Sequence, residues 1–200
     1  MPLLALEEPV GTRSSEASVA PGWADVVDAA VGHVWPGIVM GAMRVAGRLV
    51  RPVVEALPAA VERLRVGAGP ELDRSTLAMW ESWQGDMGVP PPQPPVRIVG
   101  FVVEGRWRTA VSTATHLCGY GPSVLVRRSK PAPVRLSEAD YHGITVIVAG
   151  TDSPSVVVAG RTGPLPGAVR TVAVRHLEEV LFAELLSEGR LSADRGARNG

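Results

Sequence analysis

V-P-P-P-Q-P-P-V-R-I-V-G-F-V-V, residues 89–103, is where the chain changes texture. Five of residues 89–95 are proline, which fixes φ and imposes extended polyproline II geometry. Before this run apolar residues recur roughly every 3.6 positions; after it they alternate. The run therefore reads as a stiff linker between a helical region, 23–88, and a region of strands closed by a helix, 96–189. Residues 1–22 and 190–200 lack periodicity and read as disordered ends. The expected class is α+β: an N-terminal helical segment, then an antiparallel sheet packed by a C-terminal helix. Pro91 and Pro94 also form P-x-x-P, a spacing shared by stiff spacers and docking motifs.

Upstream, Trp23, Val26, Val27, Ala30 and Val34 fall on one helical face, and Pro36 breaks that helix. A second helix is expected over about 37–50. A third begins at Pro52, with Val53, Val54, Leu57, Val61 and Leu64 apolar, and kinks or restarts at Pro58. Asp73 is placed to cap a fourth, in which Leu77, Trp80 and Trp83 share a face. Trp80 and Trp83, with Met79 and Met87 nearby, read as core or as a partner anchor. Arg44, Arg48 and Arg51 read as the wet side of the second helix, or as a stripe on a membrane surface.

Downstream, Val96–Val103 reads as a strand, Glu104-Gly105 as a two-residue turn, and Arg106–Thr115 as the returning strand. That register puts Ile98, Val102, Trp107 and Val111 on a core face. It puts Arg97, Phe101, Arg106 and Arg108 on the other, with Val99 and Val103. An aromatic among arginines is a composition that interface centres favour, so these four are the candidate partner-binding residues. Further strands are expected at 123–128 and at Val134-Arg135-Leu136. Residues 144–149 and 156–159 form a hairpin closed by 151–154. The last helix runs from about 167 to 188, with Val169, Ala173, Leu177, Val180, Leu181 and Leu185 apolar and Gly189 as its stop.

Composition narrows the function classes. The 200 residues are 46% hydrophobic, enough for a sizeable core, and the formal net charge is zero. A neutral chain exerts no long-range pull on nucleic acid or anionic lipid, so neither is an expected partner. Lys130 is the only lysine against nineteen arginines, a coding bias of GC-rich genomes. No apolar run reaches 18 residues without charge, and Glu7 and Glu8 stand where a leader's apolar region would begin. The expectation is a cytoplasmic protein with neither signal peptide nor membrane span. Composition and spacing leave the oligomeric state open.

No phosphate loop, dinucleotide fingerprint or nucleophile elbow occurs; Gly119-Tyr120-Gly121 is followed by Pro122 and a strand. Cys118 is the only cysteine, so no internal disulfide forms. On a strand it would share a face with His116, but a zinc site needs more ligands. It reads as a small buried hydrophobe at a strand end. Asp140-Tyr141-His142 has no spacing relation to Cys118, and Glu178 and Glu179 beside Arg175 read as a solvated face. No catalytic residue, metal or cofactor is therefore expected, and the chain is not read as an enzyme.

R-I-V-G-F-V-V-E-G-R-W-R-T-A-V from Arg97, S-V-L-V-R-R from Ser123 and the late helix G-A-V-R-T-V-A-V-R-H-L-E-E-V-L from Gly167 resemble the second half of EspG-type proteins. The likeness covers about 90 residues. The resemblance implies two related sheet-containing halves and a non-catalytic cytosolic chaperone of type VII secretion in actinobacteria. Such a chaperone binds the exposed apolar tip of a PE–PPE heterodimer and holds it soluble before export. The alternative is a structural or assembly protein, from a phage or a multi-protein complex, that oligomerises through 23–88.

Overall fold

In the computed structural model the described residues are 22–149, 153–163 and 170–191. The expected disordered ends fall almost wholly outside them, as does the start of the expected last helix. The elements are α1 (Trp23–Gly32), β1 (Ile38–Val39), β2 (Met43–Val45), β3 (Arg48–Ala56), α2 (Pro58–Arg65), α3 (Arg74–Glu81) and β4 (Val96–Val102). There follow α4 (Trp107–His116), β5 (Ser123–Arg127), α5 (Pro133–Tyr141), β6 (Thr145–Ala149), β7 (Pro154–Val158) and α6 (Val172–Ser187). The class is α+β, with a seven-stranded sheet ordered β1-β3-β4-β5-β6-β7, and β2 also paired to β3. The C-terminal helix α6 packs on the sheet at β4.

The sheet is mixed rather than antiparallel. β4–β5 and β5–β6 are parallel, and the other pairs are antiparallel. Parallel neighbours need a crossover, and α4 and α5 supply it. The expected hairpin over 96–115 is thus corrected to β4 followed by a helix. Trp107, Ala110, Val111 and Ala114 are buried at i, i+3, i+4 and i+7, the spacing of a helical face. Val134-Arg135-Leu136 likewise lies in α5, which Pro133 opens at its first turn.

The reading of 37–50 as helix is also overturned. Ala46 and Gly47 both have positive φ, 47° and 78°, the geometry of a tight hairpin turn between β2 and β3. β3 then runs through Pro52. Its carbonyl accepts from Met40 N where the neighbouring chain passes from β1 to β2, and the Met40 carbonyl, which a proline cannot bond, accepts from Arg51 Nε at 3.2 Å instead. A helix does restart at Pro58, and Asp73 caps α3 by accepting from Thr76 N at 2.8 Å. Gly189 ends α6 with Arg190 N donating to Leu185 O and Gly189 N to Leu186 O.

The proline run does not part a helical region from a sheet region. β3 pairs with β4 from Arg51↔Val102 to Ala56↔Val96, so the sheet continues across it. Leu57 N donates to Pro95 O at 2.9 Å, and Pro94 and Pro95 are buried. Both sheet faces are covered. Val53, Val102, Val124, Val126 and Ile147 meet Val27, Val31 and Trp35 on the α1 side. Phe101, Val103, Leu125 and Val146 meet residues of α4 and α6 on the other. Alternation along each strand therefore sends apolar side chains both ways.

Candidate functional site

Among the described residues, five of the eleven exposed large hydrophobic side chains fall between positions 66 and 89. From Val66 to Val89 only Leu77 is buried. Val66, Leu72, Met79, Met87 and Val89 are exposed, and Trp80 and Trp83 are half-buried beside them. This strap lies over α6, which α3 contacts.

Charge holds it there. Glu179, with no exposure, accepts from Arg63 Nη1 at 2.7 and 2.9 Å and from the Glu71 amide at 3.0 Å. Its Oε1 is also 3.1 Å from Arg175 Nη2. Arg63 Nη2 donates to the Gly69 carbonyl, and Arg175 Nη2 to the Pro92 carbonyl at 2.8 Å. Arg175 lies over the Trp80 ring at 5.4 Å. Glu179 and Arg175 together thus tie the two ends of the strap to the last helix. Its neighbour Glu178 is 2% exposed; Oε1 is 3.4 Å from Arg170 Nη2, and Oε2 is buried without a hydrogen-bond partner among the described residues. Burial pushes the Glu178 carboxyl up to about 7, with Arg170 and Arg175 opposing the rise.

These glutamates are not the solvated face expected of them. The sequence carried a signal in Phe182, which the apolar stripe omitted. Phe182 is fully buried, three positions after Glu179 and four after Glu178, so it turns that side of α6 inward. The Arg175–Glu179 spacing of four was the second clue.

The four expected partner-binding residues do not share a face. Arg97 is exposed on β4 and pairs with Glu55 of β3. Phe101 is fully buried, which removes it as a partner anchor. Arg106 is the exposed N-cap of α4, and Arg108 follows in its first turn. The opposite set divides too: Val102 packs on the α1 side, while Trp107 and Val111 pack on the other.

Arg108 joins a different group. A depression of about 460 Å³ is lined by Arg48, Arg108, Val111, Ser112, Thr115, His116, Glu138 and His142. The α4 residues lie at i, i+3, i+4, i+7 and i+8, one ridge, and Glu138 and His142 form the facing ridge of α5. Trp107 Nε1 donates to Glu138 Oε2 at 2.6 Å. Next to this contact, Arg127 and Arg135 lie 5.4 and 5.9 Å from the centre of the Trp107 ring. Burial and the charge of Arg135 lower the Arg127 guanidinium pKa. Arg127 Nη1 donates to the Gly105 carbonyl at 2.6 Å, while Nε and Nη2 are buried without hydrogen-bond partners among the described residues.

Cys118 is exposed just beyond α4, not packed at a strand end. His116 is the last residue of that helix, and Asp140 and Tyr141 close α5 rather than sit in a loop. Among the described residues no group of three or more His, Cys, Asp or Glu is placed to hold a metal ion. None of their helices is long and apolar enough to cross a membrane. Comparison with protein-family models, curated proteins and solved structures returned no match.

Proposed function

We propose that this chain is a non-catalytic, cytoplasmic protein-interaction or chaperone module, with the strap 66–89 as its partner surface. The observation that carries the proposal is five exposed large apolar side chains along a segment that buries only Leu77. Tryptophan, methionine and arginine are the residues that interface centres favour. Methionine adapts to partners of varied shape, which suits a holder of apolar segments. The ionic tether beneath keeps the strap ordered, so little conformational entropy is lost on binding.

The EspG-type likeness names a partner to test: the apolar tip of a PE–PPE-like secreted heterodimer of type VII secretion in actinobacteria. What supports that choice is the order of elements, with a late helix following strands. Two features stand apart from the family. The quoted run from Arg97 spans β4 and α4, and the strands join one mixed sheet instead of two related halves. The assembly alternative relied on 23–88 as a helical arm, and those residues instead supply α1–α3 and three strands.

Co-expression with a PE–PPE heterodimer, followed by size-exclusion chromatography with light scattering, tests the reading. The expected result is a complex that Met79→Glu/Met87→Glu abolishes while the circular dichroism spectrum stays unchanged. A complex untouched by that double variant would move the partner surface elsewhere. A defined homo-oligomer that the double variant dissolves would favour the assembly reading.

A further inference from the structure

The charges of this neutral chain are unevenly spent. Its buried carboxylates gather under the strap, whereas the ridge of α4 and α5 gathers guanidinium groups. Arg48, Arg108, Arg127 and Arg135 form no ion pair among the described residues. His116 and His142 lie in the same depression as Arg48 and Arg108. The carboxylate there, Glu138, already accepts from the Trp107 indole. Asp140, also on α5, lines a separate depression toward β7. Ser112 and Thr115 add hydroxyls along the floor, and Tyr141, 87% exposed, stands at the rim with its ring 5.1 Å from that of His142.

We propose that the α4–α5 ridge is a docking site for a short acidic segment of a partner protein. Charge complementarity makes the case: Arg48 and Arg108, without an ion pair among the described residues, line one open depression and outnumber its single carboxylate, Glu138, which is engaged by the Trp107 indole. Arginine presents its donors as a planar fork, which matches a carboxylate in two-point contact. The size fits a peptide. Arg108 to Thr115, both lining the depression, spans seven residues of α4, about 10 Å. That is the reach of roughly three extended residues. The long groove that a nucleic-acid backbone follows is not this short, and a chain without net charge gives no long-range attraction to phosphates. Tyr141 offers the apolar face and hydroxyl that a rim contact uses.

The test is fluorescence anisotropy with a labelled peptide of alternating Asp and Glu, against an Asn and Gln peptide of equal length, at low salt. The acidic peptide is expected to bind at least about tenfold more tightly, and to weaken steeply as salt rises. Arg48→Ala/Arg108→Ala should weaken it by about tenfold or more, while Arg108→Lys keeps only part of the affinity, because lysine supplies the charge without the fork. Both positions are exposed, so the fold is retained. Arg48→Glu/Arg108→Glu should transfer preference to a lysine-rich peptide. Arg97→Ala, on the far side of the sheet path at its Glu55 pair, and Met79→Glu/Met87→Glu on the strap should change nothing. Equal binding of the neutral peptide, or an unaffected Arg48→Ala/Arg108→Ala variant, would overturn the proposal. So would a single-stranded oligonucleotide that binds more tightly than the acidic peptide, which would make the ridge a nucleic-acid site.

Discussion

Glu179 answers two guanidinium groups and a backbone amide without any exposure to water. Removing its charge leaves Arg63 and Arg175 buried and unanswered. Glu179→Gln is therefore expected to destabilise the protein by about 3–5 kcal/mol, read by urea unfolding. The exposed pair Arg65–Glu62 is the contrast, and Glu62→Gln should leave the unfolding midpoint where it is. Glu178 gives the same helix a pH dependence. Its carboxyl sits at about 7 when folded against 4.5 ordinarily, so the folded state holds that proton more tightly than the unfolded chain. The contribution is complete below about pH 4.5 and is lost as pH rises through about 7, a loss of roughly 3 kcal/mol. Glu178→Gln keeps a neutral side chain throughout. It should match the native protein most closely below about pH 4 and exceed it at pH 8, and equal stability of the two at pH 8 would refute the assignment. Phe101→Ala belongs here as well: with its ring fully buried, the loss falls on stability, about 3–5 kcal/mol, and not on partner binding.

Among the elements, β4 and the segment that follows α1 are joined by a close fit. Gly100 has no side chain because the Trp35 ring lies against it. A Cβ there would come within 2.5 Å of Trp35 Cη2 and 2.8 Å of the Pro122 carbonyl. Gly100→Ala should push the indole off the sheet and cost about 1–3 kcal/mol. Near-ultraviolet circular dichroism of Trp35 reports the displacement, and a native-like spectrum with unchanged stability would show that the ring has room to move. The same elements show where sequence and structure part. Trp107 to Thr115 reads W-R-T-A-V-S-T-A-T, with bulky or β-branched residues at every second position. That is the pattern of a strand, and the burial of Trp107, Ala110, Val111 and Ala114 makes it a helix. Packing on the sheet overrode local preference. The turn at Ala46-Gly47 was hidden for a different reason: only its second residue is glycine, and Ala46 takes positive φ without advertising it.

For the molecule as a whole, the strands β5, β6 and β7, the last helix and the Asp73 cap were legible because their signals are local. The hairpin of β6 and β7 needs only alternation and a turn. The parallel pairs, the double-sided core and the tether at Glu179 were not legible, because each depends on contacts between distant segments. Arg63 and Glu179 lie 116 residues apart. The candidate partner set failed with the hairpin it was built on, yet Arg108 came through onto a different surface. Hydrogen exchange should order the molecule accordingly. Amides of β3, β4, β5 and β6, covered on both faces, should be the slowest, and those of 66–89 among the fastest. Protection of the strap equal to that of β4 would contradict the account of its burial.

The pairing of Ala56 with Val96 has a consequence for shortening the chain. The backbone departs from the sheet at one place and returns beside it, so everything between is an excursion that a two-residue turn would replace. That excursion supplies both the cover of α6 and the partners beneath the cover: Arg63 and the Pro92 carbonyl answer Glu179 and Arg175, and α3 lies over them. A chain shortened by such a turn would bare both charges to water together with the Phe182 ring, over which Arg63 lies. The excursion and the last helix therefore form one unit, to be kept or redesigned together.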